Sequence, residues 1–284
     1  MNCVLKSVFI TYCCFATIIS SANCDTLYYN SHDSMIRGYF YPAKETNAQT
    51  LLFTQGFMDS GDIWDLGKTL SENNINVFSF DFRGCFESEG EQGLMNSQED
   101  IGAALTFLAS AEMVKKYKID TANIILGGYS YGGHMSMLYA LYHPEIKRVI
   151  SISGGDLGIV ADLMNANPQM RKGYSNFFQT LKKPDGPVDF LYDDPIEELI
   201  KNRNYFSILD QTGKLANVDI FLAGGTDDGV VSLENYVLPL YRRIKKNEGQ
   251  KITTKIYQDG HSYQNCNEQL IRDILEWLIR SLNE

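Results

Sequence analysis

Short apolar runs recur along this chain, separated by stretches whose apolar positions fall three and four residues apart. Residues 35–41, 50–54, 76–80, 124–126, 149–153, 220–223 and 253–257 read as strands. Several, Leu51-Leu52-Phe53 among them, show no polar alternation, the pattern of a strand covered on both faces. The intervening residues 63–71, 98–117, 131–142, 233–246 and 269–282 carry the helical period. The last is the clearest, with Leu270, Ile274, Leu275, Trp277, Leu278 and Leu282 on one stripe. Alternation of this kind predicts an α/β fold, a mostly parallel sheet with helices on both faces. Such sheets bind their ligands beyond the carboxyl ends of the strands.

Residues 155–217 interrupt the rhythm. They contain no convincing strand, carry Pro168, Pro184, Pro187 and Pro195, and mix aromatics with acids. A stretch of roughly 60 residues is too long for a plain connection. It reads as an insertion folded over the strand ends as a cap, with Phe177, Phe178, Phe190, Tyr192, Tyr205 and Phe206 as candidate lining. No internal repeat or low-complexity tract is present.

The N-terminus changes the picture of compartment. Lys6 precedes the apolar run Val8 to Ile19, which is followed by Ser20, Ser21 and Ala22. This is the layout of a secretory signal peptide over residues 1–22, cleaved before Asn23. The run falls short of the ~20 residues that cross a bilayer, and no later stretch approaches that length. A secreted or periplasmic protein without a membrane span is expected, with residues 23–284 forming one α/β domain. Of the 6 cysteines, Cys3, Cys13 and Cys14 would leave with the signal. Cys85 and Cys266 could pair in an oxidising compartment or remain separate thiols. A formal charge of −10 with no basic cluster disfavours nucleic acid as a partner.

The candidate chemistry sits at Ile124-Ile125-Leu126-Gly127-Gly128-Tyr129-Ser130-Tyr131-Gly132. Here an apolar strand runs directly into G-x-S-x-G. A sharp strand-to-helix turn needs small residues at Gly128 and Gly132 and lifts Ser130 out of the sheet. A serine hydroxyl needs a base within reach to act as a nucleophile. Among the four histidines, His32 lies near the mature N-terminus, His134 one turn below Ser130, and His143 at a helix end before Pro144. His261 occupies a turn-rich loop between the last strand and the last helix, at the end of the sheet where Ser130 emerges. It is the expected base. An acid to orient it is offered by the turn after residues 220–223, which carries the adjacent Asp227 and Asp228.

With these residues in place, the chain from about residue 35 to 284 resembles the α/β-hydrolase superfamily. The branch it is similar to holds serine aminopeptidase-like, monoglyceride-lipase-like and prolyl-oligopeptidase-like enzymes. The order Ser130, acid, His261 is that of the superfamily's nucleophile, acid and histidine. The resemblance selects Asp227 as the acid. It also matches Phe53-Thr54-Gln55-Gly56-Phe57 to an H-G-x oxyanion loop, with Gln55 in place of histidine, and implies that the Phe57 and Tyr131 amides hold the oxyanion. Asp81-Phe82-Arg83-Gly84-Cys85-Phe86 resembles the D-x-R-G-x-G loop, with Phe86 where glycine is common and Arg83 as a stabilising ion-pair partner.

The resemblance therefore implies a serine hydrolase acting through an acyl-enzyme on a carboxylic ester, requiring no cofactor or metal. A short-peptide peptidase, a thioesterase or a lysophospholipase is the alternative. A binding protein that keeps the fold without catalysis is the rival from another class.

Overall fold

The computed structural model describes residues 24–280 apart from Asn47, Met58 and Asp62. The expected signal segment, residues 1–22, lies outside the described residues. In chain order the elements are β1 (Asp25–Ser31), β2 (Ser34–Tyr41), β3 (Thr50–Thr54), α1 (Leu66–Glu72), β4 (Asn76–Phe80), α2 (Leu94–Leu108), α3 (Ala111–Tyr117), β5 (Ile124–Tyr129), α4 (Tyr131–Tyr142) and β6 (Arg148–Ile152). The insertion supplies α5 (Leu157–Ala166), α6 (Pro168–Leu181), α7 (Pro195–Lys201) and α8 (Arg203–Phe206). β7 (Asp219–Gly225), α9 (Leu238–Ile244), β8 (Ile252–Tyr257) and α10 (Asn267–Arg280) complete the chain.

The eight strands form one sheet in the order β1-β2-β4-β3-β5-β6-β7-β8. β1, β2 and β4 pair antiparallel, and every pairing from β4 through β3 to β8 is parallel. All five residues of β3 and of β4 are buried, as their unbroken apolar runs require. Separate apolar clusters cover the two faces. Leu52, Leu126, Val149 and Leu222 face one side, and Leu51, Phe53, Ile150 and Phe221 face the other. The stripe read on α10 is the buried face that packs there, with Leu270, Ile274, Trp277 and Leu278. Among the described residues no helix is long and apolar enough to cross a membrane.

Two expectations need correction. β1 was absent from the sequence pattern because it is an edge strand whose only buried residues are Tyr29 and Ser31. The helix expected over residues 98–117 is two helices, parted at Ala109–Ser110, where the Ser110 side chain accepts from the Met113 amide and starts α3. The prolines of the insertion open helices more than they interrupt them. Pro168 and Pro195 stand in the first turns of α6 and α7, behind the capping side chains of Asn167 and Asp194.

The insertion is tied to the sheet by backbone and buried charge. Residues 187–191 run alongside residues 84–92, with Phe86 N donating to Pro187 O, Asp189 N to Gly84 O and Leu191 N to Gln92 O. Phe86 has φ 51°, the left-handed backbone that explains why glycine is common at this position. Buried Glu198 of α7 accepts from the Leu94 and Met95 amides at 2.8 and 3.0 Å, capping the N-terminus of α2 where Gly93 offers no side chain. Nearby, Arg83 donates to fully buried Asp100 through its backbone amide, Nε and Nη2. Asp100 also accepts from Ser31 Oγ at 2.6 Å.

Candidate active site

Ser130 joins β5 to α4 with φ 52° and ψ −118°, a conformation rare for a residue with a side chain. Two hydrogen bonds hold it there: its amide donates to Ile152 O at 2.8 Å, and its carbonyl accepts from His134 N at 3.1 Å. The flanking glycines have steric causes. A Cβ on Gly132 would collide with the carbonyl oxygens of Thr54 and Gln55, and one on Gly128 would collide with the backbone of Gly132. Thr54 Oγ1 lies 2.8 Å from Gly132 O, so β3 also fixes the start of α4.

His261 approaches from the loop after β8. Its Nε2 lies 2.9 Å from Ser130 Oγ, although the two residues are 131 positions apart in sequence. The loop is held by Tyr129 OH, which donates to His261 O at 2.9 Å, and by Trp64 Nε1, which donates to Ser262 O at 2.9 Å. Gly225 allows the close approach, since a Cβ there would strike the Asp259 carbonyl.

The acid that meets the imidazole is Asp228, 2.8 Å from Nδ1, and not the expected Asp227. The cause is the turn that follows β7. Thr226 N donates to Tyr257 O and Asp227 N to Asp259 O, so two consecutive amides are held against the loop after β8 and the backbone leaves the strand conformation there. In this turn the Asp227 side chain is exposed and that of Asp228 is buried. The Asp228 carboxylate also accepts from Val230 N at 2.9 Å, Val231 N at 2.7 Å and Ser153 Oγ at 2.8 Å. Burial opposes its ionisation, but the bonds from His261, Val231 and Ser153 outweigh it and hold the pKa below the ordinary carboxylate value. Ser153 lies 2.7 Å from the hydroxyl of fully buried Tyr263. Neither Ser153 nor Tyr263 carried any sequence signal, because both act through contacts that only folding creates.

Since a carboxylate accepts, His261 Nδ1 must donate to Asp228. Nε2 of the neutral ring is then the lone pair that faces the Ser130 hydroxyl. Tyr131 is the first residue of α4, where amides have no intrahelical acceptor, and the Phe57 and Tyr131 rings meet edge to face with centroids 5.5 Å apart. In the loop of residues 53–57, Gln55 is buried and its Nε2 donates to Gly61 O.

Ser130, Phe57 and Tyr131 all border a cavity of about 240 Å³. Phe177, Phe178 and Phe190 of the insertion line it as expected, joined by Tyr174, Leu157 and Val231. The other three candidate aromatics do not: Tyr192 is exposed, Tyr205 stacks on Tyr142 at 4.5 Å, and Phe206 is fully buried in the core. Among the described residues, no Asp, Glu, Lys or Arg stands in the lining. Cys85 and Cys266 are separate thiols, both pushed up to about 12 with burial the leading cause, so the bridge their loops permitted is not formed.

Comparison with known proteins agrees with this fold. Residues 49–191 match the alpha/beta hydrolase fold family, and the chain belongs to it. An uncharacterised protein of Rickettsia prowazekii is 28% identical over 134 residues, 45% of this chain and 54% of that protein. A proline iminopeptidase of Saccharolobus solfataricus is 31% identical over 86 residues, 30% of this chain and 26% of that enzyme. The matched segments thus span about half or less of these relatives. Among solved structures, an esterase of Pyrococcus furiosus superposes with a TM-score of 0.64 at 18% identity, covering 92% of each chain, a likeness of fold.

Proposed function

We propose that this chain is a serine hydrolase that cleaves carboxylic esters through an acyl-enzyme on Ser130. The observation that carries the reading is the continuous line from Ser130 Oγ through His261 to Asp228, at 2.9 and 2.8 Å. In this mechanism Ser130 Oγ attacks the ester carbonyl carbon while His261 Nε2 takes its proton. The Phe57 and Tyr131 amides stabilise the oxyanion, and Asp228 stabilises the imidazolium. The C–O bond to the alcohol then breaks, and the proton held by His261 leaves with the alcohol. Water, deprotonated by His261, releases the acid and restores Ser130.

Ester cleavage is favoured over peptide cleavage by the cavity lining. An aminopeptidase must hold a cationic terminus, and among the described residues no carboxylate lines the cavity. An apolar acyl group suits the walls. We further propose that residues 1–22 direct export and are removed; the secreted protein should begin at Asn23 when its N-terminus is sequenced.

The deciding experiment is labelling with a fluorophosphonate probe. Wild type should be modified and Ser130→Ala should not. Absence of labelling in folded wild type would replace the enzyme with a non-catalytic binding protein of the same fold.

A further inference from the structure

The apolar cavity lies on one flank of Ser130, and the other flank carries a carboxylate that the reaction does not use. Asp59 stands in the loop between β3 and α1, and its amide donates to Gly56 O at 3.1 Å. Its Oδ2 fills the space that a Cβ on Gly56 would take, and the Tyr129 ring stands 3.0 Å from that same point. The carboxylate therefore lies against the backbone just before Phe57. Tyr129 leads on to the base: its hydroxyl donates to His261 O, and the two rings have centroids 5.1 Å apart. Asp59, Tyr129 and His261 are all missing from the described residues that line the acyl cavity.

The electrostatics agree with this placement. Asp59 is half-buried, and burial raises its pKa against the pull of a protonated His261. After burial, the charge of Asp59 is the next cause that raises the Tyr129 hydroxyl. The carboxylate is thus within electrostatic reach of both the base and the ring that supports it. Neither oxygen has a hydrogen-bond or ion-pair partner among the described residues, and neither is sealed from solvent. Asp59 also borders a recess of about 10 Å³ beside Phe57 and Tyr131, room for no more than a water. A larger partner must therefore come from the open side. A half-buried carboxylate without a cation of its own gains from one supplied from outside.

The mechanism states which part of an ester reaches that side. His261 Nε2 hands its proton to the leaving oxygen, so the alcohol departs on the His261 flank while the acyl group occupies the apolar cavity. Asp59 stands on the alcohol's side.

We propose that Asp59 binds a cationic group on the leaving alcohol, so that the site prefers esters of ammonium-bearing alcohols. The inference rests on the ester-hydrolase reading and adds the leaving-group class to it. A neutral alcohol leaves the carboxylate half-buried and uncompensated, and the site discriminates by that difference.

The test uses octanoate esters in isosteric pairs that differ in charge: choline against 3,3-dimethylbutyl, and 3-(dimethylamino)propyl against 4-methylpentyl. At least one cationic ester should exceed its neutral partner about 10-fold or more in kcat/KM at low ionic strength, and the excess should shrink as salt is added. The first pair offers charge alone and the second also an N–H, so the pair that responds names the kind of cation. Asp59→Asn removes the charge and keeps the shape, and the ratio should fall to about one. Asp59→Glu should recover part of it. Any influence of Asp59 on the imidazolium is common to both esters of a pair and cancels, so a purely structural role leaves the ratios standing.

Ratios near one for both pairs in wild type, or a ratio that survives in Asp59→Asn, would overturn the proposal. So would a gain from an aminoacyl over a plain acyl p-nitrophenyl ester that is lost in Asp59→Asn, since the carboxylate would then serve the acyl side. If Asp59→Asn does not fold, inhibition of wild type by the two alcohols of the responding pair decides, with tighter binding expected for the cationic alcohol and equal binding counting against. An enzyme that is labelled at Ser130 but indifferent to the alcohol's charge sinks this inference alone. A protein that is neither labelled nor active sinks the hydrolase reading with it.

Discussion

At the scale of single residues, the adjacent acids of the 225–231 turn give the sharpest prediction. Asp228→Asn should lower kcat for a p-nitrophenyl ester by about 10³ to 10⁴, through loss of the imidazole's tautomer and of charge behind the imidazolium. Asp227→Asn, at an exposed side chain, should change it by no more than about twofold. Steady-state kinetics on the two variants checks the ranking, and the reverse order would return the role to Asp227. The same residue sets a pH dependence. Its folded pKa is depressed, so its contribution to stability is complete above the unfolded carboxylate value and disappears as pH falls through the lower folded value. The gap in denaturation midpoint between wild type and Asp228→Asn should therefore narrow on acidification below about pH 4. A gap that stays constant down to about pH 2 would contradict the depressed pKa.

At the scale of elements, the contacts that hold the insertion over the site matter more than its own packing. Glu198 is a buried carboxylate at the N-terminus of α2, and both of its oxygens accept backbone amides. Glu198→Ala should cost about 1–3 kcal/mol by leaving those amides unpaired, with a smaller loss in Glu198→Gln, as measured by chemical denaturation. It should also raise KM more than it lowers kcat, since α7 lines the cavity through Pro195, Ile196 and Leu199 but supplies no residue of the Ser130–His261–Asp228 line. The Arg83–Asp100 pair works at the opposite edge of the same loop. Arg83→Ala leaves Asp100 charged and buried, and a loss of about 3–5 kcal/mol in the free energy of unfolding is expected from the same denaturation measurement. A neutral result would show that water reaches Asp100 once the guanidinium is gone.

At the scale of the whole molecule, the sheet brings one strand-end turn and two loops to a common point, and the insertion encloses that point in apolar surface. Because no formally charged side chain among the described residues lines the cavity, burying a charged acyl group there would go uncompensated. Octanoyl or phenylpropanoyl esters should exceed a succinyl-type ester, with its free carboxylate, by about 100-fold or more in kcat/KM. A panel of matched esters measures this, and a charged ester as best substrate would show that acyl groups lie outside the cavity.

Most of the sheet was legible in the chain itself. Unbroken apolar runs report burial on both faces, and β3 and β4 begin and end where those runs do. The serine and its glycines were legible for the same reason: the turn is local, and its sterics are written in neighbouring residues. His261 could be assigned by its loop, since the fold class alone states which end of the sheet that loop occupies. What the chain could not disclose was anything set by contact between distant segments. Asp227 and Asp228 are equivalent by type and spacing, and only the turn that the folded chain makes against residues 257–259 leaves the first exposed and the second buried. Glu198, Ser153 and Tyr263 belong to the same class. Their roles depend on which side chains the fold brings within hydrogen-bonding distance, and local sequence carries no record of that distance.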